Sequence, residues 1–193
     1  MSNGRSTAPP DRWIEFLSPY IGTDKARDLV GECQAHDGAK EALYNAKRLI
    51  TLSSEMDEFR PGRAPLQLLF LLTCAEDLAR RTRDSLHKHE SRNAVILFFR
   101  RFADRGDLKT LSTQTICDKG VKRWEDVIHS LYEARNEVAH KGIYWQCAFA
   151  DAQHFQAATV RIAPMSMEDF RGIVVRATVR ALGHILKTIP NSP

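Results

Sequence analysis

Leu131-Tyr132-Glu133-Ala134-Arg135-Asn136-Glu137-Val138-Ala139-His140-Lys141-Gly142 decides how the rest of the chain is read. Upstream of it, Trp124, Val127, Ile128, Leu131, Ala134 and Val138 recur at three- and four-residue steps. That spacing sets side chains on one face of a helix. Arg135 falls inside or beside the apolar stripe, where a guanidinium cannot shed its charge and needs an anionic or hydrogen-bonding partner. Asn136 and His140 are four apart and share a face, with Arg135 adjoining it. Gly142 follows two residues later, and glycine readily takes the left-handed conformation that ends helices. His140 is therefore expected in the last turn, where the helix dipole favours imidazolium and readies the ring for proton transfer near neutral pH. A fixed cation beside a titratable histidine suits a phosphodiester better than a carbonyl substrate.

Outward from this run, the chain reads as helical. Pro65 is expected at the start of a long helix whose first half, Leu66, Leu68, Leu69, Phe70, Leu71 and Leu72, is apolar nearly all round, the mark of a central helix. It should reach about Leu86. Glu76 and Asp77 follow its apolar half, and an acid there is a candidate partner that orients Arg135, with Glu76 the first choice and Asp77 the second. The alternative is a solvated acid pair neutralised by Arg80, Arg81 and Arg83.

Asp11 to Leu17 is a short amphipathic piece closed by Pro19 and Gly22. Thr23 or Asp24 can cap a long helix running to about Glu58, with a weak point from His36 to Ala39 beside Gly38. Ser91 opens a helix bearing Val95, Ile96, Leu97, Phe98, Phe99 and Phe102 and ending near Gly106. Asp107 to Lys119 reads as a polar linker. After Gly142 the pattern is less regular, and a short extended pair or irregular insert is expected before Pro164. Ser166-Met-Glu-Asp169 then has the form of a helix cap, leading into Phe170, Ile173, Val174, Ala177, Ala181, Leu182, Ile185 and Ile189.

With 193 residues, 43% hydrophobic and 27% charged, the chain is large enough to bury one core and needs no second domain. Residues 1–10 are expected to be a flexible leader and 11–190 one helical domain. The fold class expected is all-α, an up-and-down bundle of four long helices with a short N-terminal helix and a small insert before the last. The leader lacks the apolar core of a secretory signal, and Leu66 to Ala75 is about half the length needed to cross a bilayer, so a cytoplasmic protein without membrane contact is expected. Cys33, Cys74, Cys117 and Cys147 are widely spaced, with no zinc or disulfide pattern, and are expected as reduced core thiols. No metal site, phosphate-binding glycine loop or cofactor signature is apparent.

A net charge of +4 and a pI near 9.0 permit an anionic partner without demanding one. Clusters at Arg80-Arg81-Arg83, Arg100-Arg101-Arg105 and Lys119-Lys122-Arg123 can each line an RNA track or simply rim a helical bundle. Of seven histidines, His140 alone stands with an Arg and an Asn on one helix. The plain alternative is a polar residue that bonds a free carbonyl at a helix end.

The run Arg135-Asn136-Glu137-Val138-Ala139-His140 resembles the signature of the HEPN superfamily: Arg, four to six intervening residues, then His, with a polar residue after the Arg. The resemblance extends from Leu66 to Gly142. It implies a homodimer in which both Arg and His pairs line one cleft, and a metal-independent endoribonuclease needing no cofactor. In such an enzyme the ribose 2′-hydroxyl attacks the adjacent phosphate and leaves a 2′,3′-cyclic phosphate. Arg135, Asn136 and His140 would be catalytic, with His140 transferring the proton, Arg135 holding the phosphate, and Asn136 orienting His140 or the phosphate. Lys141 is a further candidate RNA contact, and Tyr132 and Tyr144, which flank the motif, can stack on a base, although Tyr132 can equally pack beside Leu131. Such proteins often act as toxins or in defence against phage, so an antitoxin or regulatory protein is a further expected partner. The alternative is a non-catalytic HEPN-like module for nucleotide or RNA binding or for dimerisation.

Overall fold

The computed structural model describes residues 10–59, 64–82, 91–112, 123–143, 147–149, 161–163 and 165–188. Within them the chain is predominantly helical, in the order α1 (Pro10–Ile21), α2 (Thr23–Gln34), α3 (Asp37–Phe59), α4 (Ala64–Arg81), α5 (Ser91–Phe102), α6 (Arg105–Ser112), α7 (Trp124–Lys141), β1 (Cys147–Phe149), β2 (Arg161–Ala163) and α8 (Met167–Thr188). The all-α class expected from periodicity holds. No helix among the described residues is long and apolar enough to cross a membrane.

The apolar segment of α4 occupies the centre. Leu68, Leu71, Leu72, Cys74, Ala75 and Leu78 are all fully buried, and α4 packs against α3, α5, α7, α8 and β1. A helix apolar on nearly every side has to be surrounded in this way. From α8, Phe170, Val174, Val175, Ala177, Ala181 and Leu182 close the core, and Phe170 stacks against Phe99 and Phe149. Burial pushes the thiols of Cys33 and Cys74 up to about 12, so both are inert core residues. Cys117 lies outside the described residues, as do residues 1–9 of the expected leader, Arg83 to Glu90 and most of the expected linker, while Pro10 already belongs to α1.

Several boundaries differ from expectation, each for a local reason. The first helix does not stop at Pro19. It passes through to Ile21, because a proline in a last turn forfeits one backbone bond, and it is Gly22, at φ 83°, that turns the chain. Gly22 also occupies the N-cap of α2, so Thr23 and Asp24 are already helical and neither caps it. The long second helix is two, divided at Ala35 and His36, whose amides bond back to the Glu32 and Cys33 carbonyls. The break falls where the weak point was expected, and it puts Gly38 in the first turn of α3. Pro65 is the second residue of α4, not the first, and that helix ends at Arg81.

The third expected helix stops at Phe102, and part of the polar linker is helix α6. Asp104 caps α6 by accepting the Asp107 amide at 2.8 Å. Asp107, only 6% exposed, is held by Arg176 at 2.6 Å and lies 3.6 Å from Arg180. The amide bond from Asp107 and the nearby Arg180 hold the Asp104 carboxyl below its ordinary value. The insert after Gly142 contains an extended pair: β1 and β2 run parallel with Ala148 opposite Ile162. Ser166 caps α8 as its sequence suggested, its hydroxyl accepting the Asp169 amide at 2.9 Å.

Candidate functional site

Helix α7 builds the site from the stripe that places it. Val127, Ile128, Leu131, Ala134 and Val138 face the core, with Trp124 only partly covered. At the far end Gly142 takes φ 66°, and the Gly142 and Ile143 amides close onto the Val138 and Glu137 carbonyls. Two otherwise open carbonyls are thereby satisfied by backbone, so His140 is not needed to bond them. His140 is exposed in that last turn, and its ring makes no hydrogen bond or ion pair with any described residue.

Arg135 is only 15% exposed at its side chain and lies against α4. Its Nη1 donates to Asn136 Oδ1 at 3.0 Å, its Nη2 reaches Thr73 Oγ at 3.4 Å, and Nη2 stands 3.6 Å from Glu76 Oε2. Its Nε is buried without a hydrogen-bond partner among the described residues. The guanidinium carbon sits 5.3 Å from the centre of the Tyr132 ring, a cation–π arrangement. Among the described residues only the bond to Asn136 is short, so these contacts leave part of the five-donor guanidinium unengaged.

Glu76 is thus within ion-pair reach of Arg135, but its tighter partner is Arg80, whose Nη2 and Nε lie 3.1 and 3.3 Å from Oε1. Glu76 thus faces Arg135 and is also paired from its own helix, but at 17% exposure it is not the solvated acid of the alternative reading. Asp77 belongs elsewhere, bonded by Arg81 at 2.9 Å while Arg81 also reaches Glu41. The second-choice acid therefore does not approach Arg135.

Asn136 Oδ1 accepts from Arg135 and not from His140, which leaves its expected role toward a phosphate as it was. Tyr132 is 5% exposed and lies beneath Arg135, so its ring is a platform for the guanidinium and unavailable to a base. Lys141 is exposed beside His140. Tyr144 lies outside the described residues. Residue reasoning missed Thr73, whose hydroxyl, inside an apolar helix, donates to the Leu69 carbonyl at 2.6 Å. Its only sequence signal was a lone polar residue one turn before Glu76.

Further along the same helix, His129 Nδ1 lies 3.4 Å from Glu133 and its Nε2 accepts from Arg92 of α5. An arginine donor on Nε2 fixes the proton of a neutral ring on Nδ1. Among the described residues no group of three or more His, Cys, Asp or Glu is placed to hold a metal ion. Comparison with family models, with curated proteins and with solved structures finds nothing that matches this chain.

Proposed function

We propose that this chain is a metal-independent endoribonuclease of HEPN type, built on a bundle whose four long helices are α3, α4, α7 and α8. The observation that carries the reading is the presence on one helix of an exposed histidine in the last turn and a sheltered arginine, five residues before it, whose Nε has no hydrogen-bond partner among the described residues. A phosphodiester would supply the acceptors Arg135 lacks. In the proposed reaction the ribose 2′-oxygen loses its proton to a base and forms a bond to phosphorus. The bond from phosphorus to the 5′-oxygen breaks, and that oxygen is protonated as it leaves. One His140 acts as base and its copy in a two-fold partner as acid. Arg135, kept in place by Asn136, Thr73 and Glu76, offsets charge on the phosphoryl oxygens.

The test is RNA incubation in EDTA, with the new ends analysed. Cleavage should persist and leave a 2′,3′-cyclic phosphate. His140→Ala should lower the rate by about 10²–10⁴-fold with the fold intact. Arg135→Ala should weaken RNA binding as well, in a salt-dependent way. An unchanged rate for His140→Ala, or a strict need for divalent metal, removes this mechanism.

One observation favours a second reading, a non-catalytic module that binds RNA or nucleotide. Arg135 already faces a carboxylate, and a guanidinium so engaged grips a phosphate only by exchanging partners. Binding without cleavage in the same EDTA experiment selects that reading. A toxin or defence role, with an antitoxin or regulatory protein as partner, is the biological setting proposed for the enzyme.

A further inference from the structure

At the end of α7 opposite His140 the surface carries cations in excess. Arg100 spans from α5 to the start of α7, its guanidinium 5.9 Å from the Trp124 ring centre and 3.6 Å from Glu125. Beside it, Arg101 lies over the Phe102 ring and donates Nη2 to His184 Nε2 at 2.6 Å. Lys187 follows one turn later on α8, close enough to hold the His184 pKa down together with burial and Arg101. Arg180 is already spent, on Asp104, Asp107 and the Phe102 carbonyl. Next along the chain from Asp104, Arg105 is exposed. Arg101, Arg105 and Lys187 have no carboxylate partner among the described residues.

Cations at helix C-termini are expected on electrostatic grounds alone, since they offset the carbonyl ends. That accounts for one nitrogen of Arg101, which caps α4 through the Thr82 carbonyl at 3.0 Å. It does not account for the other, aimed at an imidazole instead of an acid. A guanidinium donating to a neighbouring neutral histidine, with a lysine one turn away, is a charge arrangement completed by an outside anion. The recess beneath Arg100 and Arg101, lined by Ala79, Leu97 and Phe98, holds roughly 190 Å³. That is below the usual size of a small-molecule pocket, so an extended ligand fits better than a compact one.

We propose that Arg101, Arg105, His184 and Lys187 form an anchoring surface for the phosphodiester backbone of RNA, separate from Arg135 and His140. It rests on the ribonuclease reading for its place in the reaction, as the surface that holds a long substrate while the cut is made about 24 Å away along α7. Forked guanidinium donors suit phosphate oxygens. A lipid surface is disfavoured because, among the described residues, the exposed large apolar side chains, Tyr44 and Phe59, both lie on α3 and none lies here.

The experiment compares the full chain with R101E/K187E and the neutral R101Q/K187Q. A labelled single-stranded RNA long enough to span the molecule is titrated in His140→Ala backgrounds, so that nothing is cut. Charge reversal should weaken binding tenfold or more at moderate salt and make the slope of log K against log salt shallower by about one to two, with the neutral pair intermediate. Circular dichroism checks folding. With His140 present, cleavage of a dinucleotide should be unchanged and KM for the long RNA raised. Unaltered RNA affinity and slope overturn the proposal. So does a charge-dependent attachment to phosphatidylserine vesicles with RNA affinity unmoved. Binding through this surface with no cleavage at all leaves the anchor standing and removes the ribonuclease reading. Undiminished cleavage of both substrates by the charge-reversed chain does the opposite.

Discussion

Glu76 is the side chain on which the site's electrostatics turn, because two guanidiniums share its carboxylate: Arg80 at 3.1 Å and Arg135 at 3.6 Å. Its side chain is 17% exposed, so removing its charge leaves sheltered cations without compensation, though water still screens part of the loss. Glu76→Gln should destabilise the fold by about 1–2 kcal/mol, below the cost for a fully buried pair, in urea unfolding. It should also raise RNA affinity if Arg135 binds phosphate, since the competing carboxylate is gone. Gly142→Ala tests the helix end itself. Nothing crowds an added Cβ, but φ 66° does, and about 1 kcal/mol should be lost. This acid was legible in sequence because it lies one turn past the most apolar part of α4. Thr73 was not, and for Tyr132 stacking on a base and packing beside Leu131 both stood open until the fold buried the ring. Whether a tyrosine packs under a guanidinium or faces solvent depends on the neighbouring helix, which spacing along one helix does not reveal.

Helix α6 shows how an element escapes detection. Arg105-Gly-Asp-Leu-Lys-Thr-Leu-Ser112 offers only Leu108 and Leu111 to a periodicity argument, and the rest looks like linker. What fixes it is Asp107, buried at 6% against Arg176 and Arg180 of α8, and a pair formed across about 70 residues leaves no local pattern. Asp107→Ala should therefore loosen the α6–α8 joint and cost about 2–3 kcal/mol, at the low end for a buried ion pair because both arginines remain partly solvated. Increased amide exchange confined to 105–112, before any global change, would identify the joint as the affected part. The helix caps split the same way. Ser166 was readable because its partner Asp169 is three residues on, and Ser166→Ala should cost about 1 kcal/mol, seen as a lower Tm. At the α2–α3 break, turn geometry at Ala35 and His36 does the work, and only Gly38 hinted at it.

For the whole molecule, two predictions separate the electrostatics of the anchor surface from assembly. Burial, Arg101 and Lys187 all lower the His184 pKa from 6.5, so the unfolded chain takes up that proton first as pH falls. Its contribution to stability is complete above about 6.5 and is lost below it, as protonation proceeds toward the depressed folded value. His184→Asn should flatten that part of the pH–stability curve, and bound polyanion should flatten it too, by raising the folded pKa back toward its unfolded value, as histidine NMR titration would show. Assembly is the larger matter. One chain presents a single His140 at the end of α7, and a single ring cannot serve as base and acid in the same step. Under the proposed mechanism an isologous contact around the Gly142 end of α7 would supply the second ring, since two-fold symmetry brings like surfaces together. The chain should therefore be dimeric by light scattering at micromolar concentration. Specific cleavage activity should fall as the protein is diluted through its dimer dissociation constant, and the bell-shaped pH–rate profile should keep both limbs wherever dimer persists. A particle of one-chain mass whose activity per chain is independent of dilution would mean that His140 works without its copy, with another group, Lys141 beside it or a residue of the partly described segment after Gly142, moving the second proton.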